Sequence, residues 1–159
     1  MKDNNEANRF IEEFSKVYRY ILSNHDKELV ELKTELEFIK LYIFLLKKRF
    51  GEGLIIKVNI ADQCKEQYII PASLQMLIEN AIKLNVVSRS KQLLIDVHSN
   101  GNNTIVISNN LQAKQTVENS TGIGLQNIAK RYKLVSNREV MINSDEKSFA
   151  VALPLLIVN

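Results

Sequence analysis

The run Pro71-Ala72-Ser73-Leu74-Gln75-Met76-Leu77-Ile78-Glu79-Asn80-Ala81-Ile82-Lys83 decides how this chain is read. Leu74, Leu77, Ile78 and Ala81 recur at steps of three and four, the spacing of one apolar helix face. A proline at the first helical position forfeits no hydrogen bond, so Pro71 is expected to open this helix, which runs to about Val86. Glu79, Asn80 and Lys83 form a polar strip beside the apolar face. Glu79 and Lys83, four apart, have an ordinary explanation as an exposed ion pair that stabilises by about 0.2–0.5 kcal/mol. Asn80 has no such explanation, because asparagine is a mediocre helix former that gains little from mid-helix exposure. Its amide oxygen suits a hard divalent cation, which prefers oxygen ligands and keeps several waters while touching substrate phosphates. A carboxylate, an amide and an ammonium within one turn can serve base, metal and phosphate roles together.

Upstream, Phe10, Phe14, Val17 and Ile21 mark a helix over Ala7 to Leu22, with Ile11, Tyr18 and Leu22 widening its apolar face. That face needs a partner from its own domain or from another chain. After the polar break Ser23-Asn24-His25-Asp26, a second helix follows Leu36, Ile39, Ile43, Leu46 and Phe50, and Gly51 and Gly53 end it. The two are expected to form an antiparallel pair or part of a helical dimer. Leu54 to Ile60 reads as a strand, and Tyr68-Ile69-Ile70 as a short extended piece.

Downstream, Gln92 to His98 and Thr104 to Ser108 flank Ser99-Asn100-Gly101-Asn102, which signals a hairpin. Leu111 to Ser120 is polar and aperiodic, and reads as a mobile loop. A helix over Gly122 to Leu134 and a hairpin of Val140 to Asn143 with Ser148 to Leu153 complete the chain. The order predicts an α/β two-layer sandwich: a mixed, mostly antiparallel sheet with helices on one face, preceded by an N-terminal helix pair. Regular strand–helix alternation is missing, which disfavours a dinucleotide fold of the Rossmann kind. The composition change near residue 51 divides a helical segment, 1–51, from a sheet domain, 52–159.

Bulk properties exclude several classes. A length of 159 residues, 45% hydrophobic and 25% charged, is that of one globular domain. A net charge of +3 is too mild to imply nucleic acid, and its basic clusters sit near helix ends, where they complement the dipole. One cysteine, Cys64, and two histidines make neither an internal disulfide nor a Cys/His metal site. The longest apolar run, Phe149 to Val158, falls short of the roughly 20 residues that span a bilayer.

The remaining chemical signal is Thr121-Gly122-Ile123-Gly124-Leu125-Gln126-Asn127, between the aperiodic loop and a helix. Glycines at a helix start let backbone amides approach a phosphate, where the dipole favours negative charge. No Gly-Lys-Ser/Thr follows, so it is not a Walker loop.

Taken together, the segment 71–83 resembles the N-box of LytS-type sensor histidine kinases, and Thr121 to Tyr132 resembles their second glycine-rich box. Tyr18 to Leu22, and Glu35 to Ile39 through Lys48-Arg49-Phe50, are similar to that family's linker helices. The resemblance implies a Bergerat (GHKL-type) ATP-binding fold, ATP and Mg2+ as cofactors, and phosphoryl transfer to a histidine and then to a response regulator. It puts the metal on Asn80 and the acid/base role on Glu79. Lys83 approaches the phosphates, and Thr121, Gly122, Gly124 and Arg131 join the nucleotide-binding set. A homodimer in the full-length kinase is implied as well. So is a cytoplasmic segment, without membrane or nucleic-acid contact of its own, in a parent anchored in the cytoplasmic membrane.

The chain departs from the family in three places. The first glycine box usually reads Asp-x-Gly-x-Gly, its aspartate accepting a hydrogen bond from the adenine amino group. Here Ser108-Asn109-Asn110-Leu111-Gln112-Ala113 stands there, so Asn109 accepts without charge, at a cost of about 1 kcal/mol, or about five- to tenfold in affinity. Leu84 stands where the family often has histidine. The acceptor histidine motif would lie upstream of Ala7, and neither His25, in a polar break, nor His98, at a strand end, replaces it. The reading is therefore a kinase catalytic domain whose acceptor histidine lies elsewhere. A degenerate module that dimerises without turning over ATP is the alternative. An anti-sigma-type serine kinase is a third option, and the N-terminal helices argue against it.

Overall fold

The computed structural model describes residues 2–24, 26–115 and 122–158. Helices α1 (Lys2–Asn24) and α2 (Leu32–Phe50) lie antiparallel, because Glu6 reaches Lys48, Arg9 stacks over Phe44 and Tyr20 stacks on Phe38. Between them, β1 (Val30–Glu31) pairs with β3 (Tyr68–Ile69), which pins the start of α2 to the body of the molecule.

The main sheet has the order β2 (Leu54–Asn59), β4 (Leu93–Ser99), β5 (Thr104–Asn110), β7 (Ser148–Pro154), β6 (Met141–Ser144). Only β2 and β4 run parallel. Alternation along each strand turns Leu54 and Ile56, Leu93, Ile95 and Val97, Ile105 and Ile107, and Val151 and Leu153 to one face. The helices α3 (Ser73–Leu84) and α4 (Ile123–Ser136) cover that face, so the fold is the expected two-layer α/β sandwich. Leu74, Leu77, Ile78 and Ala81 are buried, as the spacing requires.

Two expectations need correction. Pro71 does not open α3; it lies in a turn, and Ala72 takes the cap position in the left-handed region at φ 60°. Nor is the start of the aperiodic stretch loose. Ala113 bridges Asn85, Gln112 exchanges hydrogen bonds with Asn85 and Val86, and Lys114 N donates to the Leu84 carbonyl. The polar residues of that stretch bond to the end of α3 rather than to a periodic partner strand, which is why no periodicity announced them. The rest of the stretch, 116–120, lies outside the described residues.

The core crosses residue 51 without interruption. Leu32, Phe38 and Ile39 of α2 are buried in the same cluster as the sheet and α3. By contrast, α1 buries Val17 but leaves Phe10, Ile11, Phe14, Tyr18 and Leu22 exposed. Among the described residues, no helix is long and apolar enough to cross a membrane.

Candidate nucleotide site

A cavity of about 550 Å³ opens between α3, α4 and the inner face of the sheet. Asn80, Lys83, Asn109, Gly122 and Gly124 all line it. Each arrives by a separate local rule. Asn109 follows Ile105 and Ile107 on the inward row of β5, so strand alternation alone aims it beneath the helices. Asn80 lies one turn beyond Met76 on the side of α3 that meets α4.

The glycine turn lies beside Asn80. A Cβ built on Gly124 would stand 3.5 Å from Asn80 Nδ2 and 3.7 Å from its Oδ1. Gly122 occupies the cap position of α4 at φ 61°, a left-handed conformation that glycine adopts without strain. Its carbonyl accepts the Gln126 amide and so begins the helix.

Electrostatically the cleft is positive and incomplete. Lys83 makes no ion pair and the Asn80 amide no hydrogen bond among the described residues. Asn109 is 9% exposed, and its Nδ2 donates to the Asn110 carbonyl at 2.8 Å. The amide oxygen thus remains the free acceptor.

Not every sequence-derived residue comes to this place. Glu79 is exposed and does not line the cavity. Neighbouring positions on a helix point about 100° apart. Glu79 is thereby turned from Asn80 toward α2, where Gln75 Nε2 donates to it at 2.8 Å and Tyr42 is near. Glu79, Asn80 and Lys83 share the unburied side of α3, but only Asn80 and Lys83 reach the cavity. Arg131 also faces elsewhere, donating at 3.5 Å to the Lys27 carbonyl in the link between α1 and α2. Thr121 and His25 lie outside the described residues. His98 sits on β4 with its Nδ1 2.5 Å from Asp96, remote from the cavity lining.

Sequence reasoning missed Lys114. It lines the cavity as a second cation, with Nζ 3.2 Å from the Ile82 carbonyl. Its charge was visible, but nothing in its neighbourhood marked it as fixed.

Solved structures that share this architecture include histidine kinase catalytic domains. The catalytic domain of histidine kinase ThkA matches 81% of this chain and 99% of its own length, with a TM-score of 0.53 at 12% identity. Full-length ShkA in complex with AMPPNP matches 99% of this chain and 37% of its own, with a TM-score of 0.52 at 12% identity. Identity this low speaks for the fold alone.

Sequence similarity narrows the class. The sensor protein LytS of Staphylococcus haemolyticus (strain JCSC1435) is 29% identical over 144 residues, 81% of this chain and 25% of that protein. The sensor histidine kinase BtsS of Escherichia coli (strain K12) is 26% identical over 135 residues, 83% of this chain and 24% of that protein. Residues 1–54 match the sequence profile described as Histidine kinase. The chain resembles the LytS-type sensor histidine kinases and has the fold of their catalytic class. It spans about a quarter of the length of the curated relatives it matches.

Proposed function

We propose that this chain binds ATP in the α3–α4 cleft and serves as the catalytic part of a two-component sensor histidine kinase. The γ-phosphoryl group passes to a histidine outside the residues present here and on to a response regulator. Residues 52–159 act as the nucleotide domain. Residues 1–51 act as a linker and, in a full-length kinase, as part of a homodimer, for which the exposed apolar side of α1 supplies surface. The segment works in the cytoplasm, in a parent anchored in the membrane.

One observation carries the reading: the Asn80 amide lies beside Gly124 at the wall of a cavity large enough for a nucleotide. The donor set also fits magnesium as a nucleotide brings it. Mg2+ is held mostly by waters and substrate phosphates, and needs few protein oxygens. Asn80 Oδ1 would provide one, and the ion when bound would neutralise charge on the phosphates.

The chain's own residues divide the remaining work. Lys83 and Lys114 place two ammonium groups at the cleft wall, suited to phosphate oxygens. Gly122 and Gly124 add no side chains of their own at the start of α4, which leaves room for an anion near its amides and dipole. Asn109 Oδ1 offers an uncharged acceptor to the adenine amino group. Glu79, on the flank facing α2, is the acid/base group for the incoming histidine, outside the cavity rather than within it. Phosphoryl transfer asks for positioning and charge neutralisation more than covalent chemistry, which this arrangement suits.

Calorimetric titration with a non-hydrolysable ATP analogue, with and without Mg2+, tests the reading. Binding should strengthen with magnesium, and Asn80→Ala should remove that gain. Absence of magnesium-dependent heat in the wild type would instead favour a non-catalytic interaction module. Asn109 in place of an aspartate and Leu111 in place of a glycine give that second reading its support.

A further inference from the structure

Glu35 of α2 is completely buried, and nucleotide binding makes no direct use of it. Its carboxylate accepts from three donors on two other elements. The Tyr20 hydroxyl of α1 donates to Oε2 at 2.5 Å, the Ala72 amide to Oε2 at 3.1 Å and the Leu74 amide to Oε1 at 3.3 Å. The last two belong to the cap and first turn of α3.

A helix leaves its first amides without internal partners, and a serine, threonine or aspartate at the cap position normally meets that need. Helix α3 has Ala72 there, which has no side chain able to do so, in a left-handed conformation that any residue with a Cβ adopts reluctantly. The acceptor comes instead from α2, and as a carboxylate it also faces the positive end of the α3 dipole. Burial raises the Glu35 carboxyl above the ordinary carboxylate range, while its three hydrogen bonds pull the other way.

A cap borrowed from another helix makes the first turn of α3 depend on where α2 lies. Tyr20 extends that dependence to α1, because its hydroxyl bonds Glu35 while its ring stacks on Phe38 at 4.1 Å. Helix α4 closes the same junction: buried Tyr132 brings its hydroxyl near the Ile70 carbonyl and Ser73, without forming a hydrogen bond there. All four helices thus meet at one buried polar point, and two of them are walls of the cleft.

We infer that Glu35 is a positioning residue: it seats the first turn of α3, and through Tyr20 it ties the placement of Asn80 to the packing of α1 on α2. The inference rests on reading the α3–α4 cleft as the nucleotide site. It adds a route by which rearrangement of the N-terminal hairpin alters that site.

Hydrogen exchange of the α3 amides, paired with ATP-analogue titration with and without magnesium, tests this in the wild-type chain, Tyr20→Phe, Glu35→Gln and Glu35→Gln with Ala72→Gly. Tyr20→Phe should speed exchange in the first turn of α3, although the lost hydroxyl bonds nothing in α3. It should also weaken magnesium-dependent binding about threefold, the scale of one hydrogen bond, and leave magnesium-free binding unchanged. Glu35→Gln should do more, about tenfold, because an amide cannot accept at both positions. Ala72→Gly should restore part of the loss, since glycine holds the left-handed cap without help.

Wild-type exchange at α3 in both single variants would overturn the inference. So would exchange that rises evenly over the whole chain. If Glu35→Gln does not fold, Tyr20→Phe decides alone. If the wild type shows no magnesium-dependent binding, the nucleotide reading fails, and the exchange measurements still decide whether Glu35 seats α3.

Discussion

The two walls of the cleft are built on different principles. The α3 wall is a regular helix with Ile78 and Leu74 fully buried beneath it, so Asn80 is held by the core itself. The other wall begins with Asn109 at the end of β5 and continues through Leu111, whose amide donates to the Lys147 carbonyl, and through Ala113 and Lys114, held chiefly by hydrogen bonds to the end of α3. A ligand group on the first wall is as rigid as the domain. One on the second is as rigid as a handful of polar contacts, each contributing about 0.5–1.5 kcal/mol. The difference teaches where substitution should destroy the site and where it should only tune it.

The largest effects are expected on the helical walls, α3 and α4. Ile78→Ala should destabilise the chain by about 2–5 kcal/mol through a lost side chain and a cavity, and denaturant unfolding monitored by circular dichroism checks it. A loss under about 1 kcal/mol would show that α3 is less firmly packed than its burial indicates. Next, Gly124→Leu should abolish measurable analogue binding while leaving the fold intact. The new side chain must pass Asn80, 3.5 Å from where its Cβ would stand, and enter the cavity.

The second wall should respond more gently, and in either direction. Asn109→Asp should tighten adenine nucleotide binding about five- to tenfold by restoring charge assistance, read by calorimetry against a guanine analogue as the control. Weaker binding would mean that Asn109 does not face the base. Lys114→Met should weaken triphosphate binding by about two- to threefold and diphosphate binding less, because an exposed ammonium is screened by solvent.

The smallest effect separates the helical wall's own packing from its borrowed cap. With its carboxyl raised above the ordinary value of 4.5, Glu35 binds a proton more readily in the folded than in the unfolded state. Its contribution to stability is therefore full below that pH and lost as pH rises through the raised folded value. The melting temperature of wild type relative to Glu35→Gln should fall as pH increases from 4.5 upward. A constant difference would mean that the cap does not titrate.

Legibility in the sequence followed the same division. Helix α3 and its inward residues were readable because an apolar face repeats every three to four positions, whereas Asn109 was placed only by resemblance, since the strand was expected to end at Ser108 and runs on to Asn110. The glycine turn was readable because glycines at a helix start leave the backbone amides open to an anion. Pro71 misled, since a proline before a helix fits a turn as well as a first helical position, and only the Glu35 bonds to Ala72 and Leu74 show which is used. Arg131 misled for a related reason: its motif fixes the helix it lies on, whereas its rotation toward Lys27 depends on where the α1–α2 link runs.

By itself, the sequence determined a two-layer α/β domain with an asparagine-bearing helix and a glycine-led helix, because periodicity and backbone freedom are local properties. Tertiary structure alone decided that Asn80 meets Gly124 while Glu79 turns toward α2, that Lys114 joins the cleft, and that Glu35 caps a helix 37 positions away in the chain at Ala72. Those are distances between segments far apart in sequence, set by how buried faces pack and how buried polar groups find partners. No run of neighbouring residues encodes them.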